Sequence, residues 1–372
     1  MKFTIRKSDI TDILSKVQGI TGRKSNLAIT ANILVKTNET GISFIATDLE
    51  TGFEGSYPAH VESTGIITIN ARKFFEIVQN FPSDDIHIEE EERQWIKISC
   101  DKVVYHIVGM SPDDFPDIPV LEDVDFMEID AIRFRKMIEK TIMISPSSDE
   151  KRPHITGVLF ESMEKDSQRL IRMVSTDGRR LSKVEFESTG DLDFHETKGV
   201  IIPKKGLSEA SKLLDSDGII TIGVKDNYFI VKKDHETIII GLLEGEFPSY
   251  EGITQKEDSF SISINKRMFN MMLKRMSILS TDNYNGVIFN FDKNRLVVTA
   301  TNPDLGESKE EFTIVFDREP IEVAFNPKYF MDTMGVIDEE NILMNIKNAK
   351  SPCLIEGTED KTFLSVIMPM KL

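Results

Sequence analysis

The sequence predicts an α+β protein built from three tandem copies of one domain. Three observations carry this: alternation of apolar and polar residues with period two over most of the chain, two short amphipathic helices in each third, and markers that recur at nearly constant offset. The threonines Thr47, Thr176 and Thr301 stand 129 and 125 residues apart, and Lys73, Lys205 and Lys328 stand 132 and 123 apart. Boundaries fall near residues 120–124 and 254–257, which gives domains 1–122, 123–254 and 255–372, each of ordinary size for a domain.

The elements repeat in order. Each copy opens with an alternating strand: Phe3-Thr4-Ile5, Met127-Glu128-Ile129 and Ser261-Ile262-Ser263-Ile264. A helix follows, its apolar stripe at i, i+3, i+4 and i+7. The stripe reads Ile10, Ile13, Leu14 and Val17, then Phe134, Met137, Ile138 and Thr141, then Phe269, Met272, Leu273 and Met276. Next come a strand and a turn, with Thr47-Asp48, Thr176-Asp177 and Thr301-Asn302 at the equivalent place; Asp and Asn there bond to nearby backbone groups. A second helix starts at Arg72-Lys73, Lys204-Lys205 and Pro327-Lys328. Runs such as Gly65-Ile66-Ile67-Thr68-Ile69-Asn70 read as half-buried antiparallel strands. Two helices against many strands place the helices on one face of each sheet.

The charge is uneven. The formal net charge is −17, from 45 Lys and Arg against 62 Asp and Glu, a balance that by itself opposes binding to a phosphate backbone. Yet segment 131–143 carries four basic residues and one acid, and segment 265–279 carries four basic residues and none. The acids concentrate elsewhere, at 89–92, 307–311 and 338–340. On charge alone, Lys136, Lys140, Lys205, Lys274 and Arg275 are the phosphate-facing cations, contacting nucleic acid without reading bases. A solvated helix face is the competing reading.

Signals of catalysis are weak. The six histidines show no metal-ligand spacing, and no Gly-rich phosphate loop appears. A magnesium-dependent nucleic-acid enzyme would use Asp48, Asp177 or the acidic runs; turn chemistry is the simpler reading of both aspartates. A peptide-binding scaffold without a nucleic-acid role is the other alternative. Cys100 and Cys353 are expected to be buried, reduced thiols of a cytoplasmic protein. No metal, cofactor or membrane span is expected.

Short motifs along the whole chain resemble one family. Ala46-Thr47-Asp48-Leu49-Glu50, Ala71-Arg72-Lys73-Phe74-Phe75 and Asp114-Phe115-Pro116 are similar to the first domain of the bacterial DNA polymerase III beta subunit, the beta sliding clamp. Ser175-Thr176-Asp177-Gly178-Arg179-Arg180-Leu181, Ile202-Pro203-Lys204-Lys205-Gly206 and Phe247-Pro248-Ser249-Tyr250 resemble its second domain. Phe325-Asn326-Pro327-Lys328-Tyr329 and Met368-Pro369-Met370-Lys371-Leu372 resemble its third.

The resemblance implies three DNA-clamp domains, with antiparallel sheets outside and two helices each inside, closing a ring as a head-to-tail homodimer. It implies a non-enzymatic processivity factor that encircles duplex DNA, slides along it, and tethers the replicative polymerase, the clamp loader and repair proteins. The implied DNA contacts are Lys24, Arg72, Arg152 and His154, and the implied dimer contacts are Tyr105 and Ile107 against Ile278 and Leu279. The implied peptide-binding cleft comprises Ile155, Thr176, Gly178, Arg180, Leu181, Pro248, Ile253, Val366, Ile367, Met368, Pro369 and Met370. Two positions depart from the family pattern: Gly252 stands where a basic residue is common, and Asp149 where a neutral polar one is.

Overall fold

The computed structural model describes residues 1–22, 27–119, 122–144, 153–165, 168–188, 199–281 and 286–371. Six α-helices occur among the described residues: α1 Lys7–Thr21, α2 Ala71–Gln79, α3 Ala131–Ile142, α4 Lys204–Ala210, α5 Lys266–Met276 and α6 Pro327–Gly335. The expected stripes are the buried ones: Ile10, Ile13, Leu14 and Val17 on α1, and Phe269, Met272, Leu273 and Met276 on α5. On α3, Phe134, Met137 and Ile138 are fully buried, and Thr141 joins them because its hydroxyl donates back to Met137 O at 2.8 Å.

Several helices start where a strand ends, and the residue at the join is the cap. Asn70 accepts from Lys73 N at 3.0 Å, Asp130 from Arg133 N at 2.8 Å, and Asn265 from Met268 N at 3.1 Å. Asn326 caps α6 in the same way, with Pro327 in the first helical position, where no amide is needed. The cap therefore fixes where the helical period takes over from the strand period.

The chain packs as two compact units. One contains Met1–Arg135 and Ile202–Leu242, the other Lys136–Ser188 and Leu243–Leu372. The division differs from the threefold repeat because sheets of successive repeats join edge to edge. In the first unit an eight-stranded antiparallel sheet runs Phe126–Asp130, Ile219–Lys225, Tyr228–Lys233, Glu236–Gly241, Thr51–Pro58, Gly41–Thr47, Asn32–Thr37 and Gly65–Asn70. Its central pairing sets Thr237 opposite Glu54 and Ile239 opposite Gly52. In the second unit Arg180–Glu187 pairs with Phe363–Ile367 in the middle of another eight-stranded sheet. Pairing covers edges that would otherwise be exposed.

Each unit also holds a smaller sheet that ends, among the described residues, on an unpaired strand. The first unit has a five-stranded sheet that ends on Val103–Val108, and the second has a four-stranded sheet that ends on Gly306–Thr313. Both cysteines are free and buried, as expected, and burial pushes the Cys353 thiol far up.

Candidate functional site

The densest set of implied site residues lies in the second unit, along the join of Arg180–Glu187 with Phe363–Ile367. Register places Arg180 opposite Ile367 and Leu181 opposite Val366. Ile155, Leu181, Val366 and Ile367 are at most 5% exposed and form the floor. Beyond the strand the chain stays pinned: Met368 N donates to Arg179 O at 2.9 Å, and Met370 N to Ala324 O at 2.8 Å.

The turn that starts the floor strand follows local hydrogen-bond chemistry. Thr176 Oγ1 accepts from Gly178 N at 3.0 Å, and Asp177 Oδ1 accepts from the amides of Arg179 and Arg180. Gly178 has φ +81°, and space lies open where a side chain would begin, so glycine serves both the turn and the opening. Arg180 is buried and held three ways. Its Nε lies 3.0 Å from Asp177, its Nη1 2.6 Å from Asp332, and its guanidinium 4.5 Å from the centre of the Tyr329 ring.

Above this floor the rim is apolar and open. Pro248 is exposed, and Ile253 and Met370 are each 37% exposed. A pocket of about 190 Å³ adjoins Ile253, lined by Gly252, Pro352, Leu354, Glu257 and Lys347 among others. A floor of aliphatic side chains with Met and Pro at the rim suits a short apolar segment better than a polar small molecule.

The same turn chemistry bears on the two aspartates that could serve catalysis. Asp48 Oδ1 accepts from the amides of Glu50 and Thr51, and its Oδ2 lies 3.2 Å from Lys205. Asp177 spends Oδ1 on two amides and Oδ2 on Arg180. Both carboxylates are engaged at every oxygen, in the manner of turn-forming aspartates.

The four implied interface residues are surface residues rather than core. Tyr105 is 41% exposed and Ile278 is 74% exposed, with Ile107 and Leu279 half-buried. Tyr105 sits on the free-edge strand Val103–Val108, whose Val103, Val104 and Val108 are also exposed. Sequence reasoning missed these valines, because a valine-rich run reads as buried strand.

The implied cations divide. Arg72, Lys136, Lys274 and Arg275 are exposed, and Lys205 is partly so. Most face a carboxylate: Arg72 lies 3.1 Å from Glu76, Lys136 3.4 Å from Asp338, Lys205 2.9 Å from Glu50, and Arg275 Nε 2.8 Å from Glu310. Bonds from Lys73 and Arg72 hold the Glu76 carboxyl below its ordinary value. Lys274 has no carboxylate partner among the described residues. Arg133 and Arg267 are exposed as well and were not singled out by sequence.

Lys140 is a correction. It is 6% exposed, its ammonium lies 2.9 Å from Asp360, and it stands 5.3 Å over the Phe363 ring. It lies three residues after buried Met137, on the same side of α3, so charge count alone misassigned it to the phosphate-facing set. Lys24, Arg152 and Asp149 lie outside the described residues, as does the side chain of His154.

Comparison with known proteins covers the chain from end to end. Models of the N-terminal, central and C-terminal domains of the DNA polymerase III beta subunit match residues 1–119, 128–249 and 254–371. A beta sliding clamp of Vibrio cholerae is 28% identical over 379 residues, covering all of both chains. One of Bacillus subtilis is 26% identical over 387 residues, again covering all of both. Among solved structures, the DNA polymerase III subunit beta of Pseudomonas aeruginosa aligns with a TM-score of 0.90 at 25% identity over the full length of both chains. A sliding clamp of Bartonella birtlesii, solved bound to griselimycin, aligns with a TM-score of 0.93 at 24% identity over the full length of both.

Proposed function

The chain belongs to the DNA polymerase III beta subunit family, and on that premise we propose that two copies join head to tail as a ring that encircles duplex DNA, slides along it and tethers replication proteins. The observation that carries the ring is the free-edge strand Val103–Val108, with Val103, Val104, Tyr105 and Val108 exposed. An unpaired edge with apolar side chains is an aggregation hazard unless something covers it. The cover is a different surface of a second copy, centred on Ile278 and Leu279. A contact between unlike surfaces closes a ring when its rotation allows.

The exposed cations of α3 and α5 supply the DNA-facing surface. Contacts to phosphate carry no base information and weaken with salt as released counterions return. Lys136 and Arg275 already face a carboxylate, so their DNA contacts compete with an internal pair. A loose, sequence-independent grip of that kind suits sliding.

The groove between Leu181, Val366, Ile253 and Met370 receives short apolar segments of partner proteins, the replicative polymerase and the clamp loader among them. The protein works in the cytoplasm as a tether and not as an enzyme; the engaged oxygens of Asp48 and Asp177 support that reading. Light scattering tests the assembly: the native chain has the mass of a dimer, and Ile278→Asp, at a position 74% exposed, has the mass of a folded monomer. A native monomer, or an Ile278→Asp dimer as tight as the native one, would remove this interface from the proposal.

A further inference from the structure

Behind the groove lies a buried polar network. Strands Gly157–Lys165, Gln168–Thr176 and Arg180–Glu187 carry Glu161, Arg172 and Glu185 side by side in cross-strand register. Arg172 Nη1 lies 3.0 Å from Glu161, and its Nη2 lies 2.8 Å from Glu185. Nη1 also donates to the Tyr250 hydroxyl at 2.8 Å, and that hydroxyl donates in turn to Glu161.

Tyr250 reaches the groove from the other side. Its side chain is 4% exposed, shares a buried cluster with Leu181 and Val366, and meets the Phe247 ring edge-on at 6.2 Å. It stands in sequence between Pro248 and Ile253, the exposed rim residues. Burial and the bond to Glu161 push its pKa up, so the hydroxyl keeps its proton and remains a donor at neutral pH.

Buried charges are retained at a cost in desolvation that apolar packing avoids. The equivalent place in the first unit avoids it: Ile118, three residues after Phe115 as Tyr250 is three after Phe247, packs against an apolar cluster. Apolar contact fixes distance, whereas a hydrogen bond also fixes direction. The directional device is present where the wall must hold its place beside an open rim.

We propose that Tyr250 is a positioning residue for the partner groove: its hydroxyl, held between Arg172 and Glu161, fixes residues 247–253 as the groove's wall and thereby sets how long a bound segment stays. The role rests on the groove reading above, and the test separates the two. The probe is a seven-residue peptide selected from a random displayed library on the native protein and kept only if Ile253→Glu abolishes its binding. In Tyr250→Phe its Kd rises about tenfold, as expected for loss of one hydrogen bond to a charged group. The change falls mainly on dissociation, with association unaltered. Amide exchange at 247–253 quickens in the free protein, while the thermal midpoint stays close to native. Glu161→Gln, which keeps a weaker acceptor, gives an intermediate Kd. Native affinity in Tyr250→Phe, or native exchange at 247–253, would overturn the positioning role. A library that yields no Ile253-dependent peptide would overturn the groove reading and this role with it.

Discussion

In the first unit Thr51–Pro58 pairs with Glu236–Gly241, and in the second Arg180–Glu187 pairs with Phe363–Ile367. Both junctions begin with the same turn, Thr47-Asp48-Leu49 in one and Thr176-Asp177-Gly178 in the other, and both are backed by a Phe-Pro segment. They differ in how the space beside the strand is filled. In the first unit the strand offers Gly52, and a Cβ there would lie 3.1 Å from Ile118 side-chain atoms, so Ile118 packs directly on the strand backbone. In the second unit the equivalent position is Leu181, and the residue in the place of Ile118 is Tyr250. The first junction is sealed by apolar contact with the chain's own segment. The second keeps an apolar floor, a polar anchor behind its wall and an exposed rim. One duplicated scaffold thus yields a closed joint and an open-rimmed one, and the difference rests on a few side chains.

The largest effects should come from removing what holds each junction. Phe115→Ala, at 8% exposure in the first unit's cluster, should cost about 3 kcal/mol in thermal or denaturant unfolding and leave peptide binding intact. Arg172→Leu leaves half-buried Glu161 without its cation and Glu185 with Lys183 alone and should cost a similar amount, about 3 kcal/mol, while also weakening peptide binding. Equal effects of both variants on peptide binding would erase the contrast. A smaller change sharpens it: Leu49 already holds φ 77° where the second unit has Gly178 at +81°. Gly178→Leu should therefore fold, lose about 1 kcal/mol to left-handed strain, and narrow the groove, measurable as a raised Kd for the selected peptide.

The smallest effect is the acid sensitivity of one carboxylate in the second unit, Asp360. Burial would raise the Asp360 pKa, but bonds from Thr362 and Lys140 outweigh it and hold the carboxyl below its ordinary 3.8. A depressed folded value contributes stability above pH 3.8, and that contribution disappears as pH falls through the folded value. Asp360→Asn should therefore be less stable than native at neutral pH, the gap closing in the acid range. A constant gap across that range would assign the loss to packing instead.

Much of the fold was legible because each repeat declares its own local chemistry: the alternating strands, the helix stripes and the Thr-Asp or Thr-Asn turns. Joining of repeats into eight-stranded sheets was not legible. Nothing local in Thr51–Pro58 or Glu236–Gly241 states which edge each will meet. The groove floor was named through resemblance alone; Leu181 and Val366 are buried and stand opposite each other on paired strands. Lys140 was misread because a cation on a basic helix looks exposed until its place three residues after buried Met137 is counted. Arg172 was passed over for the opposite reason: in Leu170-Ile171-Arg172-Met173 it reads as a solvent-facing strand residue, and only cross-strand register reveals Glu161 and Glu185 on either side of it.

Topological retention on DNA tests the ring most directly. The protein is loaded onto nicked circular DNA and, in parallel, onto the same DNA cut once, and the bound fraction is followed after free protein is removed. A ring that slides stays on the circle and leaves the cut molecule through its ends. Equal retention on both, or equal loss from both, would contradict encirclement and leave a surface-bound scaffold in its place.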